Sequence, residues 1–392
     1  MSNVIPKKLL YLHNGRVDSR EANLVQVVSM CNAFSRFGYR VTLVLNARSM
    51  SDAEAERKLQ SAFSMDHTVR VKLIRQRLHR KLAKHLSCLQ IPSIIRSESP
   101  DVIFVRDPRY FRMSLRSAKP VLLEIHNTHM HLGNRWLNAI FCRWILTGAG
   151  KKGCEKVICI SEALRDYWVS NGIPEEKTMV LHDGFSTELF TEVIPLPIAR
   201  STLGIDPEAT LVVYSGNLQA NRGIHYILDL SVAFPHVLFL LVGGNPERRI
   251  LYEEVCRNRG IVNIRFEGQQ PHNRIPLYLY AADVLLAMWS REVPTINFCS
   301  PLKVFEYLAT GIPMVIPGYP TIMEVVEDGK DAFVCLPDDP LSFEKTLQRA
   351  LDADSESLRM MASNARKKAT ESYSWNTRAQ RIILAIPEKL RP

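Results

Sequence analysis

The chain lacks a Cys-x-x-C pair, an uncharged stretch of 18 residues and any low-complexity or short-period repeat. Its 8 cysteines are scattered, and a chain of 392 residues can bury a core without disulfides, so we expect reduced thiols. The longest uncharged runs, Leu230–Pro246 and Tyr307–Met323, contain proline and glycine, which argues against membrane spans. The first residues do not have the layout of a signal peptide, so we expect a cytoplasmic protein rather than a secreted one.

The composition is that of a globular protein with unevenly distributed charge. Apolar residues make up 46% and charged residues 23%, which excludes a disordered or collagen-like chain. Residues 1–190 hold 29 Lys and Arg against 17 Asp and Glu, a net +12, whereas residues 191–392 hold 21 against 23, a net −2. This asymmetry predicts an anionic partner for the first half, either nucleic acid or a membrane surface.

Apolar runs of strand length alternate with helix-length segments in both halves of the chain. Several runs are continuous, such as Val102–Val105, which is typical of parallel strands buried on both faces. A helix is predicted over Ala22–Phe37, ending at Gly38, and two more over residues 355–371 and 375–386. The predicted strands are Leu9–His13, Arg40–Leu45, Val69–Ile74, Asp101–Val105, Pro120–Ile125, Lys156–Ile160, Met179–Leu181, Leu211–Tyr214, Val237–Val242, Ile264–Phe266, Val284–Ala287, Pro313–Ile316 and Phe333–Leu336.

This alternation predicts two doubly wound α/β domains that face each other across a cleft. Prolines at 195, 197 and 207 interrupt a stretch of low periodicity. We therefore expect a first domain over residues 1–190, a linker over 191–208 and a second domain over 209–374.

The most specific stretch for function is Ser300–Pro313. Ser300 suits an N-cap, Pro301 the first helical position and Gly311 the C-terminal stop, so a helix is predicted from about 301 to 310. Lys303 falls in the first turn, where the helix dipole disfavours a cation unless an anion binds there. Glu306 lies one turn on and could hold two vicinal ribose hydroxyls. The alternative is a surface ion pair between Lys303 and Glu306.

A second stretch, Tyr214–Gly223, links a strand to a helix and has glycine at 216 and 223. Backbone amides in such a loop can approach a phosphate, and Arg222 adds a charge-assisted contact. The loop matches neither G-x-G-x-x-G nor a Walker loop, so by itself it also fits an ordinary strand–helix connection.

The order of the two stretches resembles that in retaining glycosyltransferases of the GT-B fold, group 1 (family 4). Shorter stretches extend the resemblance along nearly the whole chain, in the family's order. They are Cys159–Leu164, Leu181–Phe190, Phe266–Gly268, Ile275–Val284 and Tyr373–Trp375. The resemblance implies a nucleotide-sugar donor, a last segment over residues 375–392 that crosses back to the first domain, and no metal or other cofactor.

The resemblance also implies roles for individual residues. Arg222 would bind the donor diphosphate, the helix start at Pro301, Leu302 and Lys303 would cap it, and Glu306 would bind ribose. His126 would lie near the transferred sugar. The remaining residues implied in donor binding are Gly15, Arg16, Gly216, Asn217 and Gly268.

The chain departs from the family pattern at four positions. Phe298 stands eight residues before Glu306, where the family often has a glutamate that contacts the donor sugar. Asn217 replaces a usual arginine of the phosphate loop. The first-domain loop has a single glycine, Gly15, and Ser186 replaces the hinge aspartate. We therefore expect an active subgroup with a different sugar grip, or an inactive relative.

Other constellations indicate less specific chemistry. His126, His129 and His131 share a loop, but their spacing fits no standard zinc motif. Ser161 lacks the setting of a nucleophile elbow and is predicted to be a helix N-cap. Asp107 and Glu124 could form a carboxylate pair if the fold brought them together.

The segment Arg70–Leu89 combines a helical stripe of apolar residues with many basic ones. Ile74, Leu78, Leu82 and Leu86 form the stripe, and the basic residues are Arg75, Arg77, Arg80, Lys81 and Lys84. Such a helix could lie on an anionic membrane or pack on the core with a solvated basic face. Nucleic-acid binding is not expected, because no recognised binding module accompanies the charge.

Together, these features predict transfer of a sugar from a nucleotide-sugar to a glycan or lipid-linked acceptor, with retention, in bacterial surface polysaccharide or glycolipid synthesis. Two alternatives stay open: a nucleotide-sugar 2-epimerase of the same two-domain plan, and a non-catalytic nucleotide-sugar or membrane-binding relative.

Overall fold

Seven parallel strands form the first sheet, in the order β3-β2-β1-β4-β5-β6-β7. The computed structural model describes residues 6–17, 22–75, 86–129 and 133–392. Every strand predicted for the first half is present, and the residues of β4 and β5 are all buried, as their continuous apolar runs require. The strands are β1 (Lys8–Arg16), β2 (Arg40–Ala47), β3 (Arg70–Arg75), β4 (Val102–Val105), β5 (Val121–Ile125), β6 (Cys154–Cys159) and β7 (Thr178–Val180).

The helices around this sheet begin and end at recognisable sequence signals. Ser51 and Glu54 form a capping box, and Ser161 accepts a hydrogen bond from the backbone N–H of Leu164, which confirms its predicted role as an N-cap. The α-helices are Ala22–Arg36, Asp52–Phe63, Ile91–Glu98, Pro108–Ser114, Arg135–Ala149, Glu162–Ser170 and Trp375–Leu384.

Six parallel strands form the second sheet, in the order β10-β9-β8-β11-β12-β13. All six predicted strands are present here too. They are β8 (Thr210–Ser215), β9 (Val237–Val242), β10 (Ile264–Gly268), β11 (Val284–Leu286), β12 (Met314–Pro317) and β13 (Phe333–Cys335). The α-helices are Leu196–Leu203, Ile224–Ala233, Pro246–Arg259, Ile275–Tyr280, Leu302–Thr310, Pro320–Met323, Pro340–Leu351 and Ser355–Ser372. The fold class is therefore α/β, with two Rossmann-like domains.

The chain divides into two compact units. The first comprises Met1–Asp183 and Trp375–Pro392, and the second comprises Gly184–Ser374. The boundary thus falls before the linker that the prolines suggested. Residues 191–208 contain a helix of the second unit, whose Ala199 and Leu203 lie in that unit's core. Pro197 occupies the first turn of this helix, so proline starts a helix here rather than marking a linker.

The segment Arg70–Leu89 also differs from its predicted helix at both ends. Ile74 lies in strand β3, so it does not belong to a helical stripe. A 3₁₀ turn spans Ser87–Gln90. The central residues 76–85, which carry Arg77, Arg80, Lys81 and Lys84, lie outside the described residues. Within the described ranges, no helix is long and apolar enough to cross a bilayer.

Candidate functional site

The loop Ser215–Gly223 leaves the carboxyl end of β8 at the point where the strand order of the second sheet reverses. From β8, the sheet continues to β9 on one side and to β11 on the other. In open parallel sheets, ligands bind at this switch point. The loop rests on the residues after β11, since Ser290 donates its backbone N–H to the carbonyl of Asn221 over 3.3 Å.

Two glycines allow the backbone to approach closely here. Gly216 has a φ of 148°, and a Cβ atom at this position would lie 2.7 Å from Nζ of Lys303. Gly243, which follows β9, has a φ of 120°, and its Cβ would lie 2.2 Å from the carbonyl oxygen of Gly216. A larger residue at either position would displace the loop or Lys303. Gly216 was predicted to belong to the site, whereas Gly243 was missed.

The ammonium group of Lys303 lies over two aromatic rings. Its Nζ atom is 3.9 Å from the centroid of the Tyr214 ring and 5.2 Å from that of Trp289. Burial and the nearby charge of Arg222 hold the pKa of Lys303 well below its ordinary value of 10.5, and Glu306 only partly offsets them. No carboxylate in the described part of the chain forms an ion pair with Lys303.

Arg222 is the second cation at this loop. It ends the 3₁₀ turn Ala220–Arg222, and Gly223, with a φ of 71°, leads directly into the following helix. The Nε atom of Arg222 is buried, and no described residue accepts a hydrogen bond from it. Arg222 and Lys303 therefore bring two positive charges to the loop Ser215–Gly223, called the glycine loop below, and no carboxylate of the described residues pairs with either.

The helix Leu302–Thr310 begins one residue later than predicted. Pro301 occupies the N-cap position, and its side chain caps no backbone N–H, so the prediction that Ser300 caps the helix was wrong. Gly311 ends the helix with a φ of 66°, as predicted. Tyr307 anchors the helix to the sheet, because its hydroxyl accepts the backbone N–H of Ser215 at 2.8 Å. The helix start is therefore held beside the glycine loop.

Glu306 contacts a histidine rather than Lys303. Nε2 of His272 lies 2.7 Å from Oε1 of Glu306, and both side chains are largely buried. This contact replaces the surface ion pair between Lys303 and Glu306 that the i,i+3 spacing had suggested. His272 was missed from the sequence, although it follows the Phe266–Gly268 stretch by only four residues.

Asn217 and Gly268, the two other predicted residues of this site, make hydrogen bonds with the backbone nearby. Asn217 is exposed, and its Oδ1 accepts the backbone N–H of Gln219 at 3.0 Å, so its side chain stabilises the turn. Gly268 ends β10 with a φ of 66°, and its carbonyl accepts the N–H of Gly243 at 2.7 Å. Gly268 therefore lies at the same edge of the sheet as the glycine loop.

His126 follows β5 at the corresponding edge of the first sheet. Its Nε2 lies 2.6 Å from Oε1 of Glu124 and 2.8 Å from Nη2 of Arg106. Burial and the charge of Arg106 lower the pKa of His126 to about 4, against the opposing effect of Glu124. The imidazole is therefore neutral at pH 7, and it can make hydrogen bonds but not act as an imidazolium acid.

Gly15 and Arg16 end the long strand β1, next to the switch point of the first sheet between β1 and β4. A Cβ atom at Gly15 would lie 2.3 Å from Nε2 of His13, so a larger residue at this position would force the buried His13 ring to shift. Gly15 and Arg16 are half-buried.

Asp107 and Glu124 do not form an acid–base pair. Asp107 accepts hydrogen bonds from the backbone N–H and Nε of Arg109, both at 2.9 Å. Burial raises the pKa of Asp107, but these hydrogen bonds outweigh it and lower that pKa. Burial also raises the pKa of Glu124, but Arg378, His126 and Arg106 hold it well below 4.5. Neither carboxyl is therefore suited to act as a general acid.

The histidine loop shows no metal geometry in its described part. Groups of three or more His, Cys, Asp or Glu side chains that could hold a metal ion are absent from the described residues. His131 lies outside them.

Two family models match the chain in succession. The Glycosyltransferase Family 4 model matches residues 25–189, and the Glycosyl transferases group 1 model matches residues 197–368. A D-inositol 3-phosphate glycosyltransferase of Corynebacterium urealyticum is 28% identical over 196 residues, which cover 47% of this chain and 44% of that relative. The chain spans about half the length of the curated relatives it matches.

Solved structures share the fold over nearly the whole chain. Alr3699/HepE from Anabaena in complex with UDP-glucose has a TM-score of 0.73 at 19% identity and covers 96% of this chain and 98% of its own. WaaG, a glycosyltransferase involved in lipopolysaccharide biosynthesis, has a TM-score of 0.70 at 14% identity and covers 96% and 99%. Together with the two successive family models, this places the chain among the group 1 glycosyltransferases of the GT-B fold.

Proposed function

We propose that the protein transfers a sugar from a nucleotide-sugar donor to a glycan or lipid-linked acceptor, with retention at the anomeric carbon. The observation that carries this proposal is the pair of cations, Arg222 and Lys303, beside a glycine loop and a helix start. Neither cation has a carboxylate partner among the described residues. A departing nucleoside diphosphate supplies the negative charge that such a site lacks.

The chemistry follows from the charge that develops as the sugar leaves. When the bond between the anomeric carbon and the diphosphate oxygen breaks, negative charge builds on the diphosphate. Arg222, Lys303 and the N–H groups at the start of the Leu302–Thr310 helix would stabilise that charge. Glu306 would hold the ribose, and His126 would offer a neutral imidazole to the sugar.

The comparisons support a nucleotide-sugar donor and a surface-glycan setting for this proposal. HepE shares the fold and was solved with UDP-glucose, and WaaG is involved in lipopolysaccharide biosynthesis. Phe298, which is half-buried, supplies no carboxylate where the family often has a glutamate. We therefore propose that residues other than the usual glutamate bind the donor sugar in this protein.

A screen of nucleotide-sugars by thermal shift and calorimetry tests the donor half of the proposal. A bound donor stabilises the folded state by mass action, so one class of nucleotide-sugar should raise Tm in a concentration-dependent way. No shift with UDP-, GDP-, ADP- or TDP-sugars would contradict the proposal.

Product analysis then separates transfer from the alternatives. A transferase should consume the donor fully only when a glycan or lipid-linked acceptor is present. An epimerase would convert the donor alone into a second nucleotide-sugar, and a binding module would bind the donor without turnover.

We further propose that the reaction needs no metal ion, because the two cations and the helix start supply positive charge to the diphosphate. Activity should then survive EDTA. Loss of activity that added Mg²⁺ or Mn²⁺ restores would contradict this part of the proposal.

We propose that the first half of the chain binds an anionic membrane surface. Such a peripheral location of the protein would suit a lipid-linked acceptor. The helix Arg135–Ala149 exposes Trp136 (83%) and Ile140 (38%) one turn apart, with Arg135 and Arg143 also exposed. An exposed tryptophan flanked by arginines suits a bilayer interface. The protein should co-sediment with vesicles containing anionic lipid at low salt and less at high salt.

Variants locate this surface. Replacing Trp136 with Ser, or Arg75, Arg77, Arg80 and Lys81 with Gln, should weaken vesicle binding and leave nucleotide-sugar affinity intact. Failure of the wild type to co-sediment at low salt would contradict the membrane proposal and favour a soluble acceptor.

A further inference from the structure

The contact between His272 and Glu306 joins two separate parts of the second unit. His272 begins a 3₁₀ turn, His272–Arg274, soon after β10, whereas Glu306 lies in the middle of the Leu302–Thr310 helix. Nε2 of His272 and Oε1 of Glu306 are 2.7 Å apart, and the exposed fractions of the side chains are 21% and 12%. Such a short, largely buried contact is a charge-assisted hydrogen bond when the imidazole is protonated.

The second oxygen of Glu306 is left available. Among the described residues, no donor reaches Oε2. The charge of Glu306 acts on the nearby Lys303, but the Lys303 ammonium packs over the Tyr214 and Trp289 rings instead of pairing with the carboxylate. The only other titratable group that Glu306 influences in the helix is the hydroxyl of Tyr307, which is bonded to Ser215.

We propose that His272 is a positioning residue for donor binding: it engages Oε1 of Glu306 and so fixes the carboxylate with Oε2 free for the ribose hydroxyls. This inference rests on the proposed function, because it assumes that Glu306 binds ribose. The restraint matters because a glutamate side chain has three rotatable bonds, and ordering them at the moment of binding would reduce affinity.

The charge of His272 follows from its surroundings. Burial by itself lowers the pKa of His272, but the hydrogen bond and the charge of Glu306 together raise it above 6.5. Glu306 is the one charged group of the described residues that acts on this imidazole. Glu306 therefore favours the protonated form of His272 compared with a free imidazole, and the hold of His272 on Glu306 weakens as the pH rises through the raised pKa.

The test measures the affinity of whichever of UDP, GDP and ADP binds most tightly, together with its 2′,3′-dideoxy analogue. The variants are His272→Ala, His272→Gln and, as a control, His236→Ala. His236 is exposed just before β9, at the opposite edge of the same sheet. His272→Ala should raise the Kd of the ribonucleotide about tenfold and change that of the dideoxy analogue much less.

His272→Gln keeps a hydrogen-bond donor but has no titrating group. It should recover most of the lost affinity and lack the part of the pH dependence that His272 contributes as the pH rises through its raised pKa. The control should match the wild type. Thermal melts check folding, and the Gln variant keeps the test valid if His272→Ala is unstable.

The outcomes distinguish failure of the proposed function from failure of the positioning role of His272. If the wild type binds no nucleoside diphosphate, the proposed function itself fails. If the wild type binds but His272→Ala weakens the ribonucleotide and dideoxy forms equally, or changes neither, the positioning role is wrong. A pH dependence of His272→Gln identical to that of the wild type would also overturn it.

Discussion

In the first unit, three buried arginines are matched by carboxylates. Arg106 and Arg378 both approach Glu124, at 3.0 and 2.8 Å, and Arg109 approaches Asp107 at 2.5 Å. In the second unit, Arg222 lies in the loop after β8 and Lys303 in the first turn of the Leu302–Thr310 helix. Neither has a carboxylate partner among the described residues. In the first unit, these arginine charges are neutralised by carboxylates of the same unit. In the second unit, the two cations remain available to bind an anionic ligand.

The second unit does pair a buried arginine elsewhere, which makes the unpaired cations informative. Arg200 donates to Asp283 at 2.7 Å and to the carbonyl of Ala281 at 3.1 Å. Within the described part of the chain, the lack of a carboxylate partner for Arg222 and Lys303 is thus a property of the switch point, not of the unit. Placing unpaired charge in a half-buried site costs stability, and an anionic ligand offsets that cost when it binds.

The largest effect should come from breaking the paired network of the first unit. Arg378→Ala removes the guanidinium beside Oε2 of Glu124 and the donors to the carbonyls of Leu181 and His182. Because a buried carboxylate is left without this partner, the free energy of unfolding should fall by about 3–5 kcal/mol. Urea denaturation measures this change.

Arg381→Ala is the matched control, since Arg381 lies on the same helix but is exposed. It should change stability by less than about 0.5 kcal/mol. Equal stability of the Arg378 and Arg381 variants would mean that the internal pairing contributes nothing to the first unit.

Arg222→Ala should have the opposite profile, a large loss of activity with little loss of stability. If Arg222 stabilises charge on the departing diphosphate, turnover should fall by roughly 10²–10³-fold. Tm should stay the same or rise, because the variant removes a cation that pairs with no carboxylate of the described residues. Steady-state kinetics and thermal melts measure both. Near-wild-type turnover would remove Arg222 from the site, and the exposed Arg257→Ala is the control.

Glu306→Ala tests whether Glu306, the acidic residue of this site, binds the ligand rather than pairing with the cations. The affinity for the nucleotide-sugar should fall by about 1–3 kcal/mol, because charged hydrogen bonds to ribose are lost. Titration calorimetry measures the change, with the exposed Glu344→Ala as control. An unchanged Kd in a folded Glu306 variant would assign Glu306 to structure alone.

The strands were predictable because each is a local run of apolar residues. The predicted bounds of the strand Val237–Val242 are the bounds that the structure has for β9. The order of the site stretches along the chain was enough to suggest the family. Helix starts were less certain: both Ser300 and Pro301 suit a first turn, and local preference alone does not choose between them.

The partners within the site could not be predicted, because they come from distant parts of the chain. Glu306 and His272 are 34 residues apart, and Arg378 lies 196 residues beyond the carbonyl that it contacts in His182. Spacing along one helix favoured Lys303 as the partner of Glu306, yet the sheet brings Tyr214 and Trp289 to Lys303 instead. Such contacts depend on strand order, which periodicity does not encode.

Lys303→Ala should produce the smallest effect and sharpens the comparison between the two unpaired cations. Turnover should fall by about tenfold, less than for Arg222→Ala, because the backbone N–H groups of the helix start remain to bind the diphosphate. The two variants measured side by side give the ranking. A larger loss for Lys303→Ala than for Arg222→Ala would reverse the assigned roles.

The pH dependence of binding gives a second measure of Lys303. Since burial and Arg222 hold the pKa of Lys303 well below 10.5, its neutral fraction in the free protein at alkaline pH exceeds that of an ordinary lysine. Binding of a diphosphate adds negative charge beside Nζ and raises that pKa, so the complex should take up a proton. At pH 9, where UDP itself is fully ionised, calorimetry in buffers of different ionisation enthalpy should show this uptake for the wild type. Lys303→Arg, which stays protonated, should show none, and equal uptake in both would mean that another group titrates.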